Sequence, residues 1–313
     1  MRQYILPCLI VLLSLALFSS IECNVPSSEK VKYSIEITDQ SGRVVKLVKI
    51  PERIISLAPS NTEILYALNL EDTIVGVTEY CNYPPEAKAK PVIGGFSTPD
   101  LEKLIAASPD LVLATSMHQK KVIPRLQELG IPVLTLDPKS LDGILESISL
   151  VGTVTGKEKE ASRVVAEMRT KIKSVTYKTD NLLLTQKPRV LFITWYNPFM
   201  AAGLGTIQDE LIRKAGGVNI AQNLYGQASI SLEAVVTANP EVIIAGVGMG
   251  TGGDAPLQFA RTEPRLTNTD AVRHNRVYAI DVDLAGRSGP RITDALGQFA
   301  QFIQPEIFEA TTK

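Results

Sequence analysis

A chain of 313 residues has room for two domains. Its 45% hydrophobic residues, 21% charged residues and net charge of −1 are the balance of a globular protein. That balance, without a basic run, gives no reason to expect nucleic acid or an anionic surface as partner.

The N-terminus stands apart. Arg2 precedes an apolar run from Ile5 to Phe18, interrupted by Pro7, Cys8 and Ser14. The run is short for a bilayer span and has a positive start, so residues 1–22 read as a secretory signal, with an uncleaved anchor as the alternative. Ser19 and Ser20 lead to Cys23, where a bacterial lipoprotein would be cleaved and acylated, although Ile21 and Glu22 are not the small residues such sites favour. Residues 23–30 would then be a polar tether. The expected location is outside the cytoplasmic membrane, in the periplasm or held to the outer face by the Cys23 lipid. With Cys8 gone and Cys23 acylated, Cys81 is left alone, which implies no disulfide framework; a Cys23–Cys81 bridge stays formally open.

Residues 31–155 read as a first α/β lobe. Tyr33–Ile37 and Val44–Ile50 alternate about Gly42 and predict a β-hairpin. Arg53–Ala58 predicts a buried strand, and Ser60-Asn-Thr-Glu63 a capping box that opens a helix over Glu63–Leu70. A strand over Thr73–Val77 precedes two loops, one with Tyr80 and Tyr83, the other with Phe96. A short helix from Leu101, capped by Asp100 and stopped by Pro109, leads into a strand over Leu111–Leu113. Helix Lys120–Leu129 ends at Gly130, and Pro132–Leu136 is the next strand. Strands and helices alternating at this spacing mean a parallel sheet with crossover helices.

Leu141–Val154 predicts another helix. Beyond Gly156, the positions Ala161, Val164, Val165, Met168, Ile172 and Val175 keep helical spacing. Residues 156–186 therefore read as a helical spine, about 38 Å long for about 25 residues. A second α/β lobe, residues 187–313, follows. It begins with a strand over Arg189–Thr194, an aromatic loop over Trp195–Gly205 and a helix over Ile207–Ala215. Then Leu232-Glu-Ala-Val-Val-Thr-Ala-Asn-Pro-Glu-Val-Ile-Ile-Ala245 repeats Leu101-Glu-Lys-Leu-Ile-Ala-Ala-Ser-Pro-Asp-Leu-Val-Leu-Ala114 in register, with Ser231 in the place of Asp100. A short helix over Ala255–Arg261, a strand over Arg276–Asp281 and a helix over Ile292–Ile303 complete the chain. The fold class is α/β: two similar parallel-sheet lobes joined by one long backbone helix, with a ligand cleft between the lobes beyond the strand ends.

Catalysis finds little support. His118 and His274 are the only histidines, neither is spaced as a metal ligand, and no Gly-x-Ser-x-Gly occurs. Gly248–Gly253 matches G-x-G-x-x-G after a strand; it fits a cleft-rim loop, or the phosphate loop of a nucleotide-binding α/β enzyme. Tyr80, Tyr83, Phe96, Trp195, Tyr196, Phe199 and Tyr225 fall near strand ends, as satellite packing or as an apolar clamp on a large flat ligand. Glu102 and Glu233 each suit the first turn of a helix by charge alone. Their matched places suggest two acids that dock a two-fold-symmetric partner bearing Arg or Lys.

Arg53-Ile-Ile-Ser-Leu-Ala-Pro-Ser-Asn-Thr-Glu63, Val75-Gly-Val-Thr-Glu-Tyr-Cys-Asn-Tyr-Pro-Pro85 and Ser108-Pro-Asp-Leu-Val-Leu113 resemble the substrate-binding proteins of ABC importers with a rigid helical backbone. The similarity runs from Val31 onward and is strongest to the cobalamin-binding members. The resemblance implies a corrinoid, or another large metal chelate, held between the lobes and delivered to an importer permease. It implies a monomer without catalysis, cofactor or resident metal, touching the membrane only through a lipid. Glu102 and Glu233 match acids that dock on permease arginines. Tyr80 falls on a ligand-contacting tyrosine, and Phe96 lies in a loop where cobalamin receptors carry a Trp. Asp283 and Arg287, before Ser288-Gly-Pro-Arg291, align with the last cleft loop, while Trp195 has no matching Trp in the cobalamin receptor that the chain resembles. Haem and ferric siderophores are the alternative ligands within the family. Tyr80 or Tyr83 would serve the first and Arg287 the second.

Overall fold

The computed structural model describes residues 34–248 and 253–308. The expected signal peptide, the tether with Cys23, and residues 249–252 of the Gly248–Gly253 loop lie outside them.

The chain opens with an antiparallel pair, β1 (Ile35–Thr38) and β2 (Val44–Leu47), whose alternation buries Val45 and Leu47. Next come β3 (Ile54–Ser56), α1 (Pro59–Ala67), β4 (Ile74–Val77), α2 (Leu101–Ala106), β5 (Leu111–Ala114), α3 (Val122–Glu128) and β6 (Val133–Thr135). The strands form an all-parallel sheet in the order β4-β3-β5-β6. α4 (Leu141–Thr155) ends on Gly156, whose φ of 67° suits a residue without Cβ, and α5 (Glu158–Thr179) follows. At 22 residues, α5 is about 33 Å long, shorter than the expected span. The second sheet is built from β7 (Arg189–Tyr196), β8 (Phe199–Ala202), then after α6 (Ile207–Lys214) β9 (Val218–Asn219) and β10 (Gln227–Ser229), and after α7 (Leu232–Ala238) β11 (Val242–Val247). α8 (Ala255–Thr262), α9 (Asp270–Arg273), β12 (Val277–Asp281), α10 (Val282–Gly286), α11 (Ile292–Ile303) and α12 (Pro305–Phe308) complete it. Its order is β10-β8-β7-β11-β12, with β9 also on β7.

Two expectations need correction. The predicted helix over Glu63–Leu70 begins four residues early, because Pro59 has the fixed φ of a first helical residue. Ser60 is therefore inside α1, no side chain caps the helix, and Glu63 is not part of a capping box. The stretch Trp195–Gly205 is not simply a loop. β7 runs through Tyr196 and folds back as β8, pairing Tyr196 with Phe199.

The repeated units fold alike. Asp100 accepts from the Glu102 and Lys103 amides, and Ser231 from that of Ala234. Both helices end in a left-handed residue before proline, Ser108 (φ 46°) and Asn239 (φ 45°). An arginine closes each turn. Arg53 Nε donates to the Ala107 and Ser108 carbonyls, and Arg189 Nε to those of Ala238 and Asn239. The acid after each proline returns the contact: Asp110 accepts from the Arg53 amide and Glu241 from the Arg189 amide.

Strands β5 and β11 are buried on both faces, as parallel strands are. Leu111, Leu113, Val242 and Ile244 face one apolar core that also takes in Leu145, Ile148 and Val151 of α4, Val164 and Met168 of α5, and Phe299 of α11. Val112 and Ala114 face a second cluster on the first sheet, and Ile243 and Ala245 a third on the second. Helix α5 packs on both α4 and α11. The two sheets thus share one interior, in which each fully buried Ile or Leu contributes about 1.5–3 kcal/mol.

Candidate functional site

The parallel strands end at a cleft of about 780 Å³. Its walls come from the chain just past six of them. These are Ala58, Pro59 and Ser60 after β3, Glu79, Tyr80 and Asn82 after β4, Thr115 after β5, Leu136–Pro138 after β6, and Val282 and Asp283 after β12. Gly248 after β11 adds to them, and Phe96, Ser97, Gly286, Arg287 and Ser288 complete the lining. Ligands of open α/β sheets bind at such carboxyl ends.

Of the residues singled out from sequence, Tyr80, Phe96, Asp283 and Arg287 meet here. Tyr80 is exposed. Phe96 is half-buried and set edge-on to the His118 ring, 5.6 Å between centroids. His118 is 1% exposed and turned into the protein. Its Nδ1 accepts from the Thr115 amide, so its Nε2 is the protonated nitrogen and donates to the Phe96 carbonyl at 2.7 Å. Burial lowers the imidazole pKa, opposed in part by the Phe96 carbonyl.

Tyr83, Trp195 and Tyr196 are not among the described lining residues. Tyr83 lies under the Arg291 guanidinium, 3.7 Å from the ring centroid to Cζ. The Trp195 and Tyr196 rings pack together at 5.3 Å, and Tyr196 leans on Phe259 at 6.3 Å. The β7–β8 hairpin is what draws them aside. Trp195 Nε1 donates to Asn197 O within that hairpin.

The residue that sequence reasoning missed is Glu63. Its carboxylate is 2% exposed and crosses to the other sheet's side of the cleft. Arg291 grips it with Nε at 2.9 Å and Nη2 at 2.6 Å, and Arg287 reaches Oε1 at 3.3 Å. Glu63 holds the Arg291 guanidinium above its ordinary pKa, opposed by burial. Arg287 also donates to Asn82 Oδ1, the Tyr80 carbonyl and Asp283 Oδ2. Gly289 permits this approach: a Cβ there would lie 3.3 Å from Glu63 Oε2. The signal available from sequence was an acid in the first helix and two arginines in the last cleft loop, with nothing local to join them.

Glu102 and Glu233 are exposed at the starts of α2 and α7, away from the cleft lining. Glu233 lies 3.7 Å from Arg265. Among the described residues, no group of three His, Cys, Asp or Glu is placed to hold a metal, and no helix is long and apolar enough to cross a membrane. Cys81 is buried and meets the hydroxyls of Thr62 and Thr78.

The family model for the periplasmic binding proteins matches residues 54–284. An ABC transporter substrate-binding lipoprotein of Bacillus subtilis is 33% identical over 282 residues, 88% of each chain. The periplasmic vitamin B12 binding protein BtuF of Vibrio cholerae has a similar structure, with a TM-score of 0.70 and 26% identity over 84% of this chain and 99% of that one. The periplasmic heme-binding protein RhuT of Roseiflexus is similar at a TM-score of 0.72 and 27% identity, over 83% and 98%. The family match crosses both sheets, and the cleft lies at their strand ends; the chain belongs to the periplasmic binding protein family, whose matched relatives are solute-binding proteins rather than enzymes.

Proposed function

We propose that this protein is the receptor of an ABC importer and that it captures cobalamin or a related corrinoid. The observation that carries the reading is the cleft itself. It is wide and partly apolar, with Tyr80 and Phe96 on its wall and its only nearby histidine, among the described residues, committed to the protein. That suits a large chelate whose metal is already ligated, held by its faces and edges. The likeness to the vitamin B12 binding protein supports the same ligand. A haem or ferric-siderophore receptor is the second reading, favoured by the exposed Tyr80 and the likeness to a heme-binding protein.

In this reading residues 31–155 and 187–313 are the lobes and 156–186 the spine between them. Glu102 and Glu233 dock on permease arginines. The protein is exported, acts as a monomer, and is held at the outer face of the cytoplasmic membrane if Cys23 is acylated. Calorimetric titration with cyanocobalamin, haemin and a ferric siderophore tests it. One-to-one binding of cyanocobalamin is expected. A response to haemin or siderophore without cyanocobalamin would overturn the ligand and leave the importer role.

A further inference from the structure

Arg287 looks like an anion receptor because it is a cation on the cleft wall. Its hydrogen bonds say otherwise. A guanidinium recognises a carboxylate by offering two parallel N–H groups. Both Nη atoms of Arg287 are taken, Nη1 by Glu63 and Asn82 and Nη2 by Tyr80 O and Asp283. Its side chain is 11% exposed. To turn toward a ligand it would have to leave the buried Glu63, whose desolvated charge would then rest on Arg291 alone. Arg291 is bound to Glu63 by two of its own nitrogens and capped by Tyr83. Glu63 and Asp283 thus cancel Arg287 and Arg291.

What remains on the wall is negative. Asp137 accepts from Ser116 Oγ and is balanced by the exposed Lys139 at 2.9 Å. Glu79 is exposed and, among the described residues, forms no ion pair. Asp281, exposed at the end of β12 and facing Gly248, is not among the lining residues; it accepts from the Asp283 amide, and its charge acts on Arg291, which leaves Glu79 as the unpaired charge on the wall among the described residues. The sequence of residues 249–252, Met-Gly-Thr-Gly, brings no charge.

We propose that this cleft selects neutral or cationic chelates and rejects those bearing carboxylates or catecholates, with Glu79 as the residue that sets the sign and the Glu63–Arg287–Arg291 cluster withholding the cations. The proposal rests on the cleft being the ligand site proposed above, and it names the charge class that site takes. Cyanocobalamin is neutral overall and aquacobalamin is a cation, whereas haemin carries two propionates. Ferrioxamine B is a cationic siderophore complex and ferric enterobactin an anionic one.

The experiment is titration of the purified protein and its Glu79→Gln and Glu79→Lys variants with these five compounds, at low and physiological salt. Aquacobalamin should bind at least as tightly as cyanocobalamin, and haemin about a hundredfold more weakly or worse. Glu79→Lys should narrow the gap between haemin and cyanocobalamin by about tenfold, an effect that added salt reduces. Haemin or ferric enterobactin binding within about tenfold of cyanocobalamin overturns the charge rule and leaves the corrinoid reading standing. Binding of ferrioxamine B without either corrinoid overturns the corrinoid reading and supports the charge rule. Binding of the anionic chelates alone, or of none of the five, overturns both.

Discussion

The two repeated units share a clamp but not its surroundings. In the second, Arg189 is half-buried and Asp270 ties it further, bonding Arg189 Nη2 at 3.4 Å and Asn239 Nδ2 at 2.8 Å. In the first, Arg53 is exposed. There the Asp110 carboxylate carries more of the junction, accepting from the Glu52 and Arg53 amides and pairing with Lys49. Burial works against its charge, but these partners outweigh it and keep its pKa below the ordinary value. The same sequence rhythm is thus secured more by a half-buried cation in one place and more by an acid in the other. Local geometry is copied between the lobes, while the charge that secures it is free to move.

The widest separation between local geometry and role is expected at the helix starts. Charge reversal of Glu102 together with Glu233 should lower uptake by well over tenfold in a whole-cell transport assay, while ligand titration stays unchanged. Near-normal uptake would show that the matched acids serve only their own helices. A smaller effect should split the two clamps. Arg189→Ala removes the donor to two carbonyls of half-buried residues and the pairing with Asp270, and is expected to cost about 2 kcal/mol. Arg53→Ala, at a wetter site, should cost about 1 kcal/mol. Denaturant unfolding of the two variants checks the order, and equal losses would remove the distinction drawn here.

The smallest effect concerns pH and the first lobe alone. His118 has its pKa lowered by burial, so below the ordinary imidazole value of 6.5 the unfolded chain takes up a proton that the folded chain resists. Stability from this group is complete above pH 6.5 and falls as the pH drops below it. The melting temperature should fall between pH 7 and pH 5.5, and His118→Asn should flatten that fall. An unchanged slope in the variant would mean that other groups carry it.

Much of this was legible because it is local. The caps Asp100 and Ser231, the stops at Pro109 and Pro240, and the buried runs that follow depend on neighbours within a few residues. The limits of local reasoning show at Glu63. Ser60 and Glu63 have capping-box spacing, yet the true partners of Glu63 lie 224 and 228 residues away. Tyr83 was drawn toward the cleft by its loop, but Arg291 from the other side of the molecule claims its face. Trp195 and Tyr196 look like loop residues in sequence because no alternation marks Phe199–Ala202 as a strand; only its pairing with β7 makes it one.

The shared interior beneath the two sheets bears on how fast the protein works. Lobes that rest on one packed core, braced by α5 against α4 and α11, have little hinge to swing. A ligand then enters a mouth that is already shaped, and little ordering is charged against the encounter. Capture should proceed in a single kinetic phase whose rate rises linearly with ligand concentration. Differences between good and poor ligands should appear in how long each one stays.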